Sequence, residues 1–359
     1  MLTDKKKGIS AFNKDFARYD QVHKQQSYRL AEGETDVFDE DYELKTCDLS
    51  RFLYGDTSQK ARFAQELGQA LEEIGFAVLT GHGTPVSFYR ETRDKVLDFF
   101  SRSTVEQRRP YLARRQGSVK QGYFPIEETS DIHPDLVEGW VFCRRAFNWD
   151  GQQTVADFWP LPDLEPFFRG YVTTHEPLFV PIMQSMLMYL GCDPSLYDKK
   201  LTQTNFGLRL NYYPPIDNQA DASGAGRILG HEDVDMFTLL AAPEIEGLQA
   251  LNRTNGKWVR LHAPPGSLII NTGDYMQRIS NDRFPSTTHR VSKPRDRDLY
   301  GQPRISFPIA VYVWENEILK VLPGLGKPKY PPVSALEFHT NCNRKIYGDD
   351  YGHTADSQL

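Results

Sequence analysis

The half of the chain that begins near Asn205 alternates short β-rich runs with turn-prone residues. Regularly spaced short strands of this kind predict a β-sandwich, a β-barrel or a jelly roll. The runs that carry the pattern are 206–213, 228–242, 247–251, 258–261, 267–271, 287–291 and 304–313. Before residue 205, apolar residues recur instead at helical spacing. We therefore expect a mainly β fold with α-helices, in which a helical front half wraps around a β-rich back half.

The second β-rich run contains His231, Glu232 and Asp233 side by side. Because side chains alternate faces along an extended chain, His231 and Asp233 point the same way and Glu232 points away. Two histidines and one carboxylate on one face of an octahedron commonly hold non-haem Fe(II) in oxygenases and leave three positions open. The hypothesis needs a second histidine from a neighbouring strand, and His289 in the sixth run is the candidate. The alternatives are an exposed polar pair on a strand edge and a core histidine.

The last β-rich run supplies a second polar pair, Arg304 and Ser306, whose side chains share a face of the strand. A guanidinium fork beside a hydroxyl is a good receptor for a buried carboxylate. The pattern also allows a structural ion pair. The sequence thus predicts three metal ligands and, on a later strand, a carboxylate clamp.

Composition limits the partners of a chain of 359 residues with a formal net charge of -6. This charge gives no general attraction to a polyanion, so we expect no nucleic-acid partner. The four cysteines form no C-x-x-C pair, which favours reduced thiols in a cytoplasmic enzyme. The N-terminus lacks an apolar run, so no signal peptide is expected. The most apolar long stretch, 178–192, is short of the ~20 residues that span a bilayer, so we expect no membrane partner.

Helix signals in the front half are clear at several points. Apolar spacing predicts a helix over 59–74 that ends at Gly75, a typical C-cap residue. A second helix is expected over 167–190, where Pro177 and Pro181 should kink or split it. We interpret 122–125 as an aromatic turn and 160–166 as a proline-rich linker. A further helical stretch lies near 333–347.

The order of these motifs resembles that of the Fe(II)- and 2-oxoglutarate-dependent dioxygenases, in the branch that includes isopenicillin N synthase, aminocyclopropane carboxylate oxidase, anthocyanidin synthase and the gibberellin oxidases. In the front half the resemblance rests on Leu71-Glu72-Glu73-Ile74-Gly75-Phe76, Gly81-His82-Gly83, Phe99-Phe100 and Gly122-Tyr123. In the back half it rests on Asn211-Tyr212-Tyr213-Pro214-Pro215, His231-x-Asp233, Gly247-Leu248-Gln249, Gly273-Asp274, Ser286-x-x-His289-Arg290-Val291 and Arg304-x-Ser306. Together, in this order, the fragments are specific.

The resemblance implies a double-stranded β-helix, or jelly roll, with an N-terminal helical region and a C-terminal helix. It implies that the iron ligands are His231, Asp233 and His289. It implies that the cosubstrate 2-oxoglutarate is bound by Arg304, Ser306, Tyr213 and Asn211, although core packing is an alternative for Tyr213. We accordingly divide the chain into a polar arm (1–43), a helical and β region (44–200), a jelly-roll core (201–330) and a C-terminal tail with a helix (331–359).

The activity implied is that of an oxidoreductase of specialised metabolism that uses Fe(II), 2-oxoglutarate and O2. It would oxidise an unactivated C–H bond of a small molecule by hydroxylation, desaturation or ring closure, and release succinate and CO2. One alternative is a 2-oxoglutarate-independent iron oxidase of the same fold, in which Arg304 and Ser306 bind the substrate carboxylate. Another is a non-catalytic metal-binding jelly roll. Position alone makes six residues candidates for the substrate pocket: Tyr123, Phe142, Arg144, Phe307, Tyr312 and Trp314. We expect a monomer.

Overall fold

A computed structural model of the protein describes residues 32–33, 36–126, 136–149, 158–218 and 226–347. Its α-helices are α1 (Ser50–Leu53), α2 (Thr57–Ile74), α3 (Val86–Arg102), α4 (Val105–Arg108), α5 (Leu164–His175), α6 (Phe179–Tyr189), α7 (Asp198–Leu201), α8 (Asp274–Ile279) and α9 (Ala335–Tyr347). Its strands are β1 (Thr46–Asp48), β2 (Phe76–Thr80), β3 (Arg114–Gln116), β4 (Val119–Phe124), β5 (Glu138–Phe142), β6 (Phe206–Tyr213), β7 (Ile228–His231), β8 (Phe237–Ala241), β9 (Leu248–Asn252), β10 (Lys257–Arg260), β11 (Leu268–Thr272), β12 (His289–Val291), β13 (Arg304–Ser306), β14 (Ile309–Val311), β15 (Ile318–Leu319) and β16 (Val333–Ser334).

Two sheets form the centre of the molecule. The larger has ten strands in the order β1-β2-β11-β8-β14-β6-β5-β4-β3, with β13 also paired to β6. The smaller has four strands in the order β10-β9-β12-β7. A buried apolar layer joins them, to which the large sheet contributes Phe76, Leu240 and Ile269 and the small sheet contributes Ala250 and Val259. This pair of packed sheets confirms the mainly β fold and the predicted jelly-roll core.

The other face of the large sheet packs against the helices. Within β11, Leu268 and Ile270 join this second core, whereas Ile269 between them faces the small sheet. Burial on both faces explains why the central strands are nearly continuous apolar runs. On the helical side, α2 and α6 approach closely at Gly68, where an added Cβ would lie 2.0 Å from the ring of Tyr189.

The helix predictions rest on local chemistry and are confirmed. The start of α2 is a capping box, in which Asp56 accepts a hydrogen bond from the Gln59 backbone N–H at 2.8 Å. Its end is Gly75, in the left-handed region at φ 75°. The expected helix over 167–190 is split into α5 and α6 by a short 3-10 turn, Glu176–Leu178, because Pro177 lacks the N–H of a continuing helix. Pro181 lies in the first turn of α6 and is tolerated there.

Three local predictions are wrong. Residues 122–124 belong to β4 and pair with β5, so the expected aromatic turn is a strand. The expected linker over 160–166 already contains the start of α5, since Pro166 lies in the first helical turn, where its missing N–H does no harm. The expected single strand over 228–242 is interrupted between β7 and β8, so Asp233 lies beyond the end of a strand.

The predicted helix in the tail is present as α9. The division of the chain at 43/44, 200/201 and 330/331 stays a prediction, because the large sheet takes strands from both sides of residue 200. Most of the polar arm lies outside the described residues. Among the helices in the described ranges, none is both long enough and apolar enough to cross a membrane.

Candidate metal and cosubstrate site

The three predicted metal ligands meet at the end of the small sheet. Strands β7 and β12 are antiparallel neighbours, and their register places His231 opposite His289 with ring centroids 4.3 Å apart. Asp233 completes the group from the loop after β7. Its Oδ1 lies 3.8 Å from His231 Nε2, and its Oδ2 lies 3.8 Å from His289 Nε2. Candidate ligand atoms of the three residues all lie within 4.8 Å of one another. We refer to these residues as the triad.

Backbone carbonyls orient both imidazoles. Nδ1 of His231 lies 2.8 Å from the carbonyl oxygen of Leu229, and Nδ1 of His289 lies 3.0 Å from that of Thr287. A carbonyl oxygen only accepts, so each Nδ1 carries the hydrogen and each Nε2 keeps its lone pair. This tautomer is the one that a metal bound at Nε2 requires.

The carboxylate of Asp233 is held on one oxygen. Oδ2 accepts hydrogen bonds from Asn271 Nδ2 at 2.7 Å and from the Thr238 hydroxyl at 3.0 Å. Oδ1 accepts no hydrogen bond from the described residues, which leaves it open for a cation. Burial by itself raises the pKa of Asp233, but the neighbouring imidazoles and these two hydrogen bonds outweigh it and lower the pKa below its usual value.

The charge states suit a divalent metal. Burial, and then the neighbouring His289, lower the pKa of His231 to about 4. His231 is therefore neutral at pH 7, as metal coordination requires. Two imidazoles and one carboxylate are a donor set that fits Fe(II) and leaves coordination positions free.

A further buried acid, Asp235, supports the same loop. The Thr238 hydroxyl lies 2.6 Å from Asp235 Oδ2 as well as 3.0 Å from Asp233 Oδ2, and one hydroxyl hydrogen serves one carboxylate at a time. Burial, and then the charge of Asp233, raise the pKa of Asp235 well above its usual value. A protonated Asp235 can donate its own O–H to the Thr238 hydroxyl oxygen, so the Thr238 hydrogen remains available for Asp233.

The predicted carboxylate clamp assembles on the face of the large sheet that looks toward the small sheet. The register of β13 with β6 places Arg304 opposite Tyr213 and Ser306 opposite Asn211. Asn211 Nδ2 donates to Ser306 Oγ at 3.2 Å, and the Tyr213 hydroxyl lies 3.3 Å from the same oxygen. The guanidinium carbon of Arg304 is 4.8 Å from the centroid of the Tyr213 ring. The structure thus brings all four predicted cosubstrate residues together.

Arg304 is a buried cation with a free donor. Its side chain is 1% exposed, and its Nε donates to the carbonyl oxygen of Ile245 at 3.1 Å. Its Nη1 is buried and has no hydrogen-bond partner among the described residues. Burial lowers the pKa of Arg304 from its usual value. A buried guanidinium with an open donor fits a bound carboxylate.

The six substrate-pocket candidates do not gather around the triad in the part of the chain that the structure describes. Tyr123, Phe142 and Phe307 belong to the core between the large sheet and the helices. This core lies on the face of the sheet opposite to the triad. Their role as substrate contacts stays a prediction.

The other three candidates lie in separate contacts. Arg144 forms an ion pair with Glu176. Tyr312 packs edge-on against His339 with ring centroids 5.6 Å apart. The guanidinium carbon of Arg145 lies 5.0 Å from the centroid of the Trp314 ring. For these residues, too, contact with substrate stays a prediction.

Several residues at the site were missed in the sequence. Asn271 lies in a predicted strand, where alternation places its side chain on the face opposite to Ile270. No sequence pattern near Asn271 indicates that it contacts Asp233. Thr238 was likewise hidden in an apolar run. No sequence motif marks Arg227, although its side chain is 1% exposed and lies beside Tyr213.

Comparisons with known proteins agree with this geometry. The family model of the 2OG-Fe(II) oxygenase superfamily matches residues 204–311. A second family model, of the N-terminal region of non-haem dioxygenases in morphine synthesis, matches residues 44–161. The 2-oxoglutarate-Fe(II) type oxidoreductase ppzC of Metarhizium majus is 31% identical over 82% of this chain and 85% of its own. The 2-oxoglutarate-Fe(II) type oxidoreductase hxnY of Emericella nidulans is 27% identical over 84% of this chain and 89% of its own.

A solved structure shows the same fold. The dioxygenase for auxin oxidation 1 of Arabidopsis thaliana, in a binary complex with 2-oxoglutarate, superimposes with a TM-score of 0.64 over 80% of this chain and 99% of that chain, at 19% identity. The sequence matches extend across both the helical front half and the β-rich back half. The chain belongs to the 2OG-Fe(II) oxygenase superfamily and is an Fe(II)- and 2-oxoglutarate-dependent oxidoreductase.

Proposed function

We propose that the protein oxidises an unactivated C–H bond of a specialised small metabolite, with Fe(II) held by His231, Asp233 and His289. One observation carries this proposal. The triad, whose ligand atoms could hold a metal, lies in the same space between the sheets as the buried guanidinium of Arg304, whose Nη1 has no hydrogen-bond partner among the described residues. Iron bound there supplies the redox chemistry that couples O2 reduction to the decarboxylation of 2-oxoglutarate and the oxidation of substrate. The fungal oxidoreductases ppzC and hxnY support the assignment.

The roles of the remaining site residues follow from their contacts. The free Nη1 of Arg304 and the hydroxyl of Ser306 receive the distal carboxylate of 2-oxoglutarate. Asn211 and Tyr213 hold the Ser306 hydroxyl in place through their contacts at 3.2 and 3.3 Å. The apolar layer between the sheets excludes water from this carboxylate, which strengthens each charged contact.

The alternative that the sequence left open is an oxidase of the same fold that uses no 2-oxoglutarate. The relatives ppzC and hxnY, both named 2-oxoglutarate-Fe(II) type oxidoreductases, support the 2-oxoglutarate-dependent enzyme against it. In such an oxidase Arg304 and Ser306 would bind the carboxylate of the substrate itself, and the geometry of the clamp suits either molecule. The two differ in stoichiometry. The proposed enzyme forms one succinate for each turnover of substrate, and the oxidase forms none.

The test is a screen of small metabolites that measures succinate and substrate product together. In Arg304→Met we expect the KM for 2-oxoglutarate to rise roughly 150- to 5,000-fold, because removing one partner of a buried charged pair costs about 3–5 kcal/mol. Arg62→Met, which removes an exposed arginine of α2, is the matched control and should leave this KM unchanged. Product without succinate, or a rise only in the KM of the primary substrate, would favour the oxidase.

Three broader properties also belong to the proposal. We propose that the enzyme acts in secondary metabolism, that it is cytoplasmic, and that it is a monomer. The four cysteines, all free thiols, support the second of these, because disulfides are rare in reducing compartments. Cell fractionation and sedimentation of the purified protein test location and oligomeric state.

A further inference from the structure

Arg227, immediately before β7, is a buried cation that the proposed mechanism does not use. Its side chain is 1% exposed, and none of its three guanidinium nitrogens has a hydrogen-bond partner among the described residues. Its backbone N–H donates to the carbonyl oxygen of Val291 at 3.0 Å, so the residue is anchored to the small sheet. An unpaired buried charge is strongly unfavourable, and buried guanidinium groups normally have an anion beside them.

Arg227 shares its surroundings with Arg304. Both guanidinium groups lie against the ring of Tyr213, with carbons 5.9 Å and 4.8 Å from its centroid. Burial, and then the charge of Arg304, lower the pKa of Arg227 to about 10, so Arg227 is still positive at neutral pH. The ionisable groups that face Arg227 in the described structure are Arg304, Tyr213 and Tyr300, and none of them is a carboxylate.

The irregular pairing of β7 gives this arrangement a structural origin. The register of β12 with β7 shifts between the pair formed by His289 and His231 and the pair formed by Val291 and Ile228. Such bulges change the direction of nearby side chains and often occur beside functional sites. The same strand therefore provides a triad histidine at one end and leads into Arg227 at the other.

From these observations we propose that Arg227 is a second binding residue for the distal carboxylate of 2-oxoglutarate, so that the pocket carries two guanidinium groups for one carboxylate. The inference rests on the proposed role of Arg304. It explains why two like charges are tolerated side by side in the apolar layer, since the incoming dicarboxylate supplies the anion that the folded chain lacks. It also makes the pocket selective against 2-oxo acids without a distal carboxylate.

The test compares two ligands that differ only in that group. Calorimetry under nitrogen on the Fe(II)-loaded protein measures the Kd of 2-oxoglutarate and of 2-oxopentanoate, which keeps the chelating end and lacks the distal carboxylate. In Arg227→Met we expect the Kd of 2-oxoglutarate to rise about 10- to 150-fold, the usual effect of losing a hydrogen bond to a charged group. The Kd of 2-oxopentanoate should stay within about twofold. Arg62→Met should change neither.

A double variant tests whether the two arginines share one carboxylate. If they do, the loss of 2-oxoglutarate affinity in Arg227→Met combined with Arg304→Met should differ from the product of the two single effects, because residues that share a partner are not additive. Ligand-free Arg227→Met should unfold at a temperature no lower than wild type, because the substitution removes an unpaired buried charge. Arg227→Gln, which removes the charge and keeps donors, decides the question with the same ligand pair if the methionine variant does not fold.

The outcomes separate this inference from the proposed function. Unchanged affinity for 2-oxoglutarate in Arg227→Met or Arg227→Gln overturns it, and so does an equal loss for both ligands, which indicates a structural role. If Arg304→Met alone weakens 2-oxoglutarate binding, the cosubstrate role of Arg304 stands and only the role of Arg227 fails. If wild type does not bind 2-oxoglutarate, the proposed function fails first.

Discussion

Asn271 offers a sharp test of how the protein prepares its metal site. Its side-chain N–H donates to Asp233 Oδ2 at 2.7 Å, from a position in β11 that is 5% exposed. The substitution Asn271→Leu replaces this polar donor with an apolar side chain of similar size. Asp233 then keeps only the Thr238 hydroxyl on that oxygen, and its carboxylate is free to rotate.

The expected size of the effect follows from the contact. A hydrogen bond to a charged group contributes about 1.5–3 kcal/mol, and about 1.4 kcal/mol corresponds to a factor of ten. We therefore expect the Kd of Fe(II) to rise roughly 10- to 150-fold, in line with the usual effect of losing a partner of a metal ligand. Turnover at saturating iron should recover most of its wild-type rate, since the three ligands remain.

The assay is competition for Fe(II) between the metal-stripped protein and a chelator of known affinity, under nitrogen. Thr272→Val is the matched control, because Thr272 is the next residue of β11, faces the opposite side, and donates its hydroxyl to the carbonyl oxygen of Pro285 at 2.7 Å. It should lower stability by about 1 kcal/mol without changing metal affinity. Equal iron affinity in the Asn271 variant and wild type, or an equal loss in both variants, would refute the reasoning.

Three further predictions follow. Asp233→Ala should abolish Fe(II)-dependent turnover with the fold intact by circular dichroism, and wild-type activity at saturating iron would contradict the ligand assignment. In Gly273→Ala the new Cβ would lie 2.1 Å from Asp235 Oδ1, so the loop should shift and iron affinity should fall at least about tenfold in the chelator assay. Burial lowers the pKa of His175 to about 4. Between about pH 4 and about pH 6.5 the unfolded chain therefore binds more protons at this residue than the folded chain does, and the free energy of unfolding should fall as the pH drops through this window. Urea unfolding at pH 7 and pH 5 should show a smaller loss for His175→Gln than for wild type.

Local sequence signals were enough wherever a feature depends on neighbours along the chain. The alternation of short strands indicated the β-rich core, and Gly75 and Pro177 marked the end of α2 and the division between α5 and α6. The spacing of His231 and Asp233 suggested a shared direction. This conclusion was right although β7 ends at His231, because the loop that follows turns the carboxylate back toward both imidazoles.

The order of the elements, and the residues able to hold a metal and a carboxylate, can be read from the sequence, because helix caps, proline effects and strand alternation act over a few residues. Which of these groups come into contact depends on how distant segments pack. Asn271 reaches Asp233 only because β11 lies beside β8, and Arg227 becomes an unpaired buried cation only because the two sheets close over it next to Tyr213. Such contacts depend on register and packing between distant segments, which no local pattern encodes.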